Sequence, residues 1–258
     1  MNIVLFDICI VLVGELLYER VCLRESAGFE HFFIGSVQLT PLQIVLYRAG
    51  EERIMKRLLS AITLLLAFTA AWADSPLTST HFANAYEDHP MVQMVNEDMQ
   101  SDLPTVLLNF LADKKSPVDV RLAIINKLSW NFDGTPVGEQ LCEYMMGRYK
   151  VKNEAKLVKK LDAGTLAVYA YAKAMSNYFD VTAACEIGHL AVKKNKGKSL
   201  SVALISALID AQVYLDSDWS KIYPVVSKVL HDGSLRLDMR QEAINGIMEY
   251  INLYKEYE

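Results

Sequence analysis

The sequence predicts an all-α fold, a right-handed α-solenoid-like stack of about four antiparallel helix hairpins preceded by a signal peptide. Three observations predict it. Apolar residues recur at helical spacing through 101–258, a segment near the start of that region recurs near its end, and residues 55–73 have the three-part build of an export signal.

Lys56 and Arg57 place two cations before an apolar run from Leu58 to Trp72, and Ala71-Trp72-Ala73 supplies small residues at positions −3 and −1 of a cleavage site. The run has the length of a signal core and falls short of the roughly 20 apolar residues that a span needs. Cleavage after Ala73 is expected, and Asp74-Ser75-Pro76-Leu77 offers no cysteine for lipid attachment. The mature chain of 185 residues is then periplasmic or secreted from a bacterium, with no membrane span. Residues 1–54 read as upstream sequence ahead of a start at Met55, disordered or poorly packed. Gly50-Glu51-Glu52-Arg53 can be encoded by purines alone, as a ribosome-binding site would be. The other reading is a genuine extension in which Ile3 to Val13 forms a short membrane or core element, although Asp7 interrupts that run.

Residues 74–100 are expected to form an exposed, partly ordered leader with a short helix, and 101–258 the helical-repeat domain. In order, Ser116-Pro117-Val118-Asp119 starts the second helix of the first hairpin, with a serine cap, proline at the first turn and a carboxylate near the positive helix end. Thr135-Pro136 starts a helix running to about Tyr149, and Asp162 leads into an Ala-rich helix from Thr165 to Tyr178. Asp180 caps a helix to about Lys194, Asn195 to Lys198 breaks it, and Leu200 to Leu215 forms the next. Asp218 opens a helix to Leu230, and Leu235 to Tyr254 closes the chain.

The recurring segment is 113–128, which aligns without a gap on 232–247 at an offset of 119 residues, about three periods of ~40. Asp113, Asp119, Arg121, Ile125 and Asn126 match Asp232, Asp238, Arg240, Ile244 and Asn245. Val120, Ile124 and Leu128 share one helix face, as do Met239, Ala243 and Ile247. One hairpin cannot bury both of its apolar sides, and stacked neighbours can. The segment Leu103-Pro104 to Leu128, with its turn aspartate and Val120-Arg121-Leu122-Ala123, resembles a HEAT-type repeat. That resemblance implies aspartate and arginine ladders along the stack, with Asp113 and Arg121, and Asp232 and Arg240, at the matching positions. Two of about four units carry it. The middle two have no arginine at the site, and the 34-residue period of a TPR array fits the offset less well.

The chain holds 26 Lys and Arg against 31 Asp and Glu, a net charge of −5, and 20 and 24 of these lie beyond Ala73. With no basic face visible as a run, nucleic acid is not an expected partner. Lys156 to Lys160 and Lys193 to Lys198 read as a helix's polar face and a solvated loop, with contact to an anionic lipid or glycan as the other reading. Cys142 and Cys185 lie 43 residues apart and are either reduced and packed or bridged.

No residue is assigned a catalytic, cofactor-binding or metal-binding role, and no cofactor is expected. Gly197-Lys198-Ser199 ends like a phosphate-binding loop, but Val192 stands where its first glycine belongs. His81, Glu87, Asp88 and His89 could hold zinc in principle, yet nothing in their spacing fixes them. His189 and His231 stand alone. Tyr250, Tyr254 and Tyr257, like Tyr169, Tyr171, Tyr178 and Phe179, are divided between core packing and an aromatic contact surface. Asn126 and Asn245 either close a hairpin by hydrogen bonding or present a side chain to a bound peptide. Together these features predict a protein-binding or scaffolding module of the cell envelope, without catalysis and with an unknown protein partner. The alternative is a periplasmic small-ligand-binding or enzyme-associated helical protein.

Overall fold

The computed structural model describes residues 33–34, 37–38, 75–129 and 135–258. The chain divides into two units, Met1–Thr69 and Ala70–Glu258. In the first, β1 (Phe33–Ile34) pairs antiparallel with β2 (Val37–Gln38), a two-strand element that an all-α reading did not anticipate. The remainder of the 1–54 segment and residues 55–73, where a signal peptide is expected, lie outside the described residues.

The second unit is helical. After α1 (Pro90–Gln93) come α2 (Thr105–Ala112) and α3 (Val118–Leu128), then α4 (Val137–Tyr149), α5 (Glu154–Lys160) and α6 (Ala163–Ser176). The chain continues through α7 (Thr182–Asn195), α8 (Leu200–Leu215), α9 (Ile222–Leu230) and α10 (Gln241–Ile251). Four 3-10 segments join them, at Phe82–Tyr86, Glu97–Gln100, Trp219–Lys221 and Asn252–Tyr257. Among the described residues, no helix is long and apolar enough to cross a membrane.

The core helices are α3, α6 and α8, each buried through most of its length. Every residue is buried from Val120 to Asn126, from Thr165 to Ala172 and from Leu200 to Ile209. α6 packs on α3, α4, α7 and α8, while α8 packs on α7 and α9. Contact between α4 and α6 is close because Gly138 has no side chain, and a Cβ there would stand 2.9 Å from the Lys173 backbone. Polar starts fix the helix frames: Asp162 accepts from the Thr165 amide at 3.1 Å, Asn153 from Lys156 at 3.0 Å and Ser199 from Val202 at 3.2 Å.

Several starts differ from the sequence reading: the cap of α7 is Val181 and not Asp180, and the helix expected to open at Asp218 begins with a 3-10 turn at Trp219–Lys221 before α9. Pro117 and Pro136 occupy the cap positions of α3 and α4, so neither Ser116 nor Thr135 caps them. α10 begins at Gln241 and not at Leu235, because Arg236 is bridged to Ser199 in the turn before α8. The Leu200 amide donates to the Arg236 carbonyl at 3.1 Å and the Arg236 amide to that of Lys198 at 3.0 Å. Asp238 then accepts from the Ser201 amide at 2.9 Å, placing a carboxylate at the positive end of α8.

The leader is not an exposed appendage, since Leu77, Phe82, Tyr86 and Val92 are core residues. The 3-10 segment Phe82–Tyr86 lies between α3 and α10. Asn126 on α3 accepts from the Ala83 amide at 2.8 Å, and its Nδ2 donates to the Thr80 carbonyl at 2.8 Å and to the Tyr171 hydroxyl of α6 at 2.9 Å. On the other side, Arg240 donates to the Ala85 carbonyl at 2.8 Å and pairs with both carboxylate oxygens of Asp88. Its guanidinium lies 4.7 Å from the Tyr86 ring centre.

The repeat-related arginines therefore do not pair with the aspartates of their own turns. Asp113 and Asp232 accept from the Lys115 and Ser234 amides instead, closing their turns locally. Arg121 is buried, donating to the Leu111 carbonyl at 3.3 Å and the Thr165 hydroxyl at 3.1 Å, while its Nε has no partner. Burial lowers its pKa, and the charges of Asp162 and Asp113 oppose that shift. Asn126 and Asn245 are equally unlike. Asn126 is a buried three-way joint, whereas Asn245 is exposed and accepts from Gln241 at 3.0 Å. Asn126→Ala leaves the Ala83 amide and the Tyr171 hydroxyl unpaired and removes one of the two donors to the Thr80 carbonyl, which keeps the Phe82 amide, and urea denaturation should show a loss of about 3 kcal/mol. Asn245→Ala should change stability by less than about 0.5 kcal/mol.

Candidate functional site

Aromatic side chains from two 3-10 turns, Trp219–Lys221 and Asn252–Tyr257, converge beside the end of α8. The 3-10 turn after α8 carries Trp219, whose indole Nε1 donates to the Leu215 carbonyl at 2.6 Å, fixing the ring at the end of that helix. Tyr254 and Tyr257, from the turn that follows α10, meet the indole edge to face, with ring centres 5.8 and 5.3 Å away. Behind them Tyr250 and Tyr254 are buried and share a hydroxyl contact of 2.8 Å. The tyrosine stripe is thus divided between its two expected roles: Tyr250 and Tyr254 pack, and Tyr257 faces solvent.

Trp219 is 47% exposed, Tyr257 50% and Leu253 58%, so three large apolar groups on neighbouring turns remain in water. Lysines border them, with Lys255 Nζ 5.5 Å from the Tyr223 ring centre and Lys221 Nζ 5.5 Å from that of Tyr214. Rigid aromatics rimmed by charge are the composition of protein-contact centres. The stripe is visible in the sequence as i, i+4, i+7 spacing, but Trp219 joins it from the 3-10 turn before α9 and carries no local signal. Of the second aromatic group, Tyr169, Tyr171 and Tyr178 are core, and Phe179 is exposed, stacked on Tyr178 at 4.3 Å.

Two further clusters hold reactive side chains. Cys185 and His189 project from one face of α7 toward Asp210 on α8. The thiol donates to Asp210 Oδ1 at 3.3 Å, and His189 Nε2 lies 2.8 Å from the same oxygen. The i, i+4 spacing of Cys185 and His189 is readable in the sequence, whereas Asp210 enters only through helix packing. Burial and then the Asp210 charge push the Cys185 thiol up to about 12, the reverse of what a thiolate nucleophile needs. In the other cluster Glu154 accepts from the Tyr169 hydroxyl at 2.7 Å and from Lys173 at 2.9 Å. Burial opposes ionisation of Glu154, and the Lys173 and Tyr169 hydrogen bonds outweigh it, so its pKa is lowered. Cys142 lies beside this group with its thiol raised by burial, and both cysteines are free.

The leader's polar residues are dispersed. His81 is exposed, His89 caps α1 by accepting from the Met91 amide at 3.2 Å, and Asp88 is taken by Arg240. Among the described residues, no group of three or more His, Cys, Asp or Glu is arranged to hold a metal ion. His231 contacts Ser227 on its own helix. Gly197 lies in the turn after α7 and Ser199 caps α8, so Gly197-Lys198-Ser199 is a helix connection.

No family model, curated protein or solved structure matches the chain. Iodoacetamide should label Cys185 slowly at neutral pH and faster as the pH rises toward 12, with Asp210→Asn raising the neutral rate by lifting the repulsion that disfavours the thiolate. Peptide mass spectrometry after timed labelling reads both rates.

Proposed function

We propose that this is an exported helical-repeat protein that binds a protein partner through the aromatic face of Trp219, Leu253 and Tyr257. That face is the observation that carries the reading. Trp and Tyr are enriched among residues that dominate binding energy, and here they are already held by neighbouring rings, so little side-chain freedom is lost on contact. The stack reading is supported by the succession of α3, α6 and α8, in which α6 packs on α3 and α8 on α6. In this reading the four hairpins form a right-handed α-solenoid-like array, and the leader seals one side of it.

The build of 55–73 supports export, with cleavage after Ala73 and release into the periplasm or outside the cell. The role is scaffolding without catalysis. The raised Cys185 thiol supports this, because the meeting of Cys185, His189 and Asp210 disfavours the nucleophilic form of the thiol.

The test is affinity purification of the C-terminally tagged full chain from its own cells beside the double variant Trp219→Ala, Tyr257→Ala. A partner retained at stoichiometric amounts by the natural protein should fall at least about tenfold with the variant, as loss of two interface aromatics implies. The recovered chain should begin at Asp74. Equal recovery of the same proteins by both forms, with matching melting curves, would remove the aromatic face from the proposal.

A further inference from the structure

The two lysine runs, separate in sequence, meet at one end of the helical unit. Lys194 of α7 reaches the last turn of α5, where its Nζ donates to the carbonyls of Val158, Lys159 and Leu161 at 3.4, 3.1 and 2.7 Å. On the other flank of α5, Lys160 donates to the Tyr149 carbonyl of α4 at 3.1 Å. Three helix C-termini are thereby gathered on one face. The residues closing α4 and α7, Lys150 and Lys196, both adopt a left-handed backbone, with φ of 51° and 54°, where glycine is the usual occupant.

The charge gathered there exceeds what the helices need. Each C-terminus presents about −0.5 charge, so the three together ask for between one and two cations. Lys194 and Lys160 already serve those carbonyls. Beyond them, Lys150 and Lys152 lie in the turn before α5, Lys156 and Lys159 on α5, and Lys193, Lys196 and Lys198 around the end of α7. All of these are exposed, and no hydrogen bond or ion pair engages their ammonium groups among the described residues. Glu154 is the lone acid within 148–160 and 193–198, and it is engaged by Lys173. In a chain of net charge −5 this is a pronounced segregation of charge.

We propose that this lysine face docks the protein on an anionic phospholipid bilayer, its ammonium groups lying against the headgroup phosphates. Lysines acting as point charges, without ordered side-chain partners, suit a diffuse negative surface, whereas bidentate recognition of one phosphate calls for arginine. The arginine nearby, Arg148, is turned toward Asn109 at 3.5 Å. Exposed aromatic rings for base stacking are absent from these two segments, which disfavours single-stranded nucleic acid. The proposal does not depend on the aromatic face or on its partner.

Co-sedimentation of the full chain with vesicles of phosphatidylcholine, with and without phosphatidylglycerol, tests it. Binding is expected only when phosphatidylglycerol is present, and it should fall steeply between about 50 and 500 mM salt as screening shortens. The quadruple variant K156E/K159E/K193E/K196E should lose about hundredfold or more in apparent affinity, since each lysine near such a surface contributes severalfold. Trp219→Ala should bind as the natural protein does. A second quadruple variant to glutamine keeps the test valid if charge reversal lowers the melting temperature, and it should lose affinity in the same direction. Equal binding to both vesicle types, binding insensitive to salt, no binding, or tighter retention by a short single-stranded oligonucleotide than by the charged vesicles would each overturn the proposal.

Discussion

The carboxamide of Asn126 holds together three parts of the chain that share no helix: the leader, the first hairpin and the second. It sits at 8% exposure with both its oxygen and its nitrogen engaged, so the desolvation of an amide is offset by bonds to a backbone amide, a backbone carbonyl and a tyrosine hydroxyl. Around that joint Phe82 packs against Tyr171 with ring centres 5.9 Å apart. The leader is thereby fixed in register, and only then is Tyr86 positioned to lie under Arg240. Packing of the final helix against the first hairpin is routed through this short segment.

Arg121 poses the opposite problem, a buried cation that forms no ion pair among the described residues. Its charge is answered at one remove, because Asp162 accepts from the Thr165 hydroxyl at 2.7 Å and that hydroxyl in turn accepts from the guanidinium. Space for the head group exists because Gly164 lacks a side chain, a Cβ there falling 3.0 Å from Nη2. A buried charge of this kind is weak as a source of stability and strong as a constraint on register, since any slip between α3 and α6 strands it.

The sequence announces those parts whose cause is local. α8 is legible to the residue, with a serine cap, a mostly apolar run and a polar stop at Asp216-Ser217-Asp218. Asp162 announces α6 in the same way. The leader is illegible because short 3-10 segments have no period to detect, and their burial depends on a helix more than 150 residues away. The start of α10 is misread for a related reason, since Arg236 is bridged to Ser199 in the turn before α8 and not held by its neighbours in sequence. The aromatic face is half legible, as a tyrosine stripe without its tryptophan. Each lysine run is visible alone, and their meeting appears only once Lys194 is seen capping α5.

The leader's place in the core has a consequence in time. Its contacts on one side are with α10, Arg240 reaching Ala85 across a separation of 155 residues, so the last structured helix must exist before the first segment has a complete seat. A ribosome delivers these pieces in the opposite order. Throughout synthesis the beginning of the unit waits without one of its two walls, and the fold closes only after nearly all of the chain has emerged. On the export route proposed above, that delay keeps the chain translocatable, because the contact that completes the structure is the one that cannot form early.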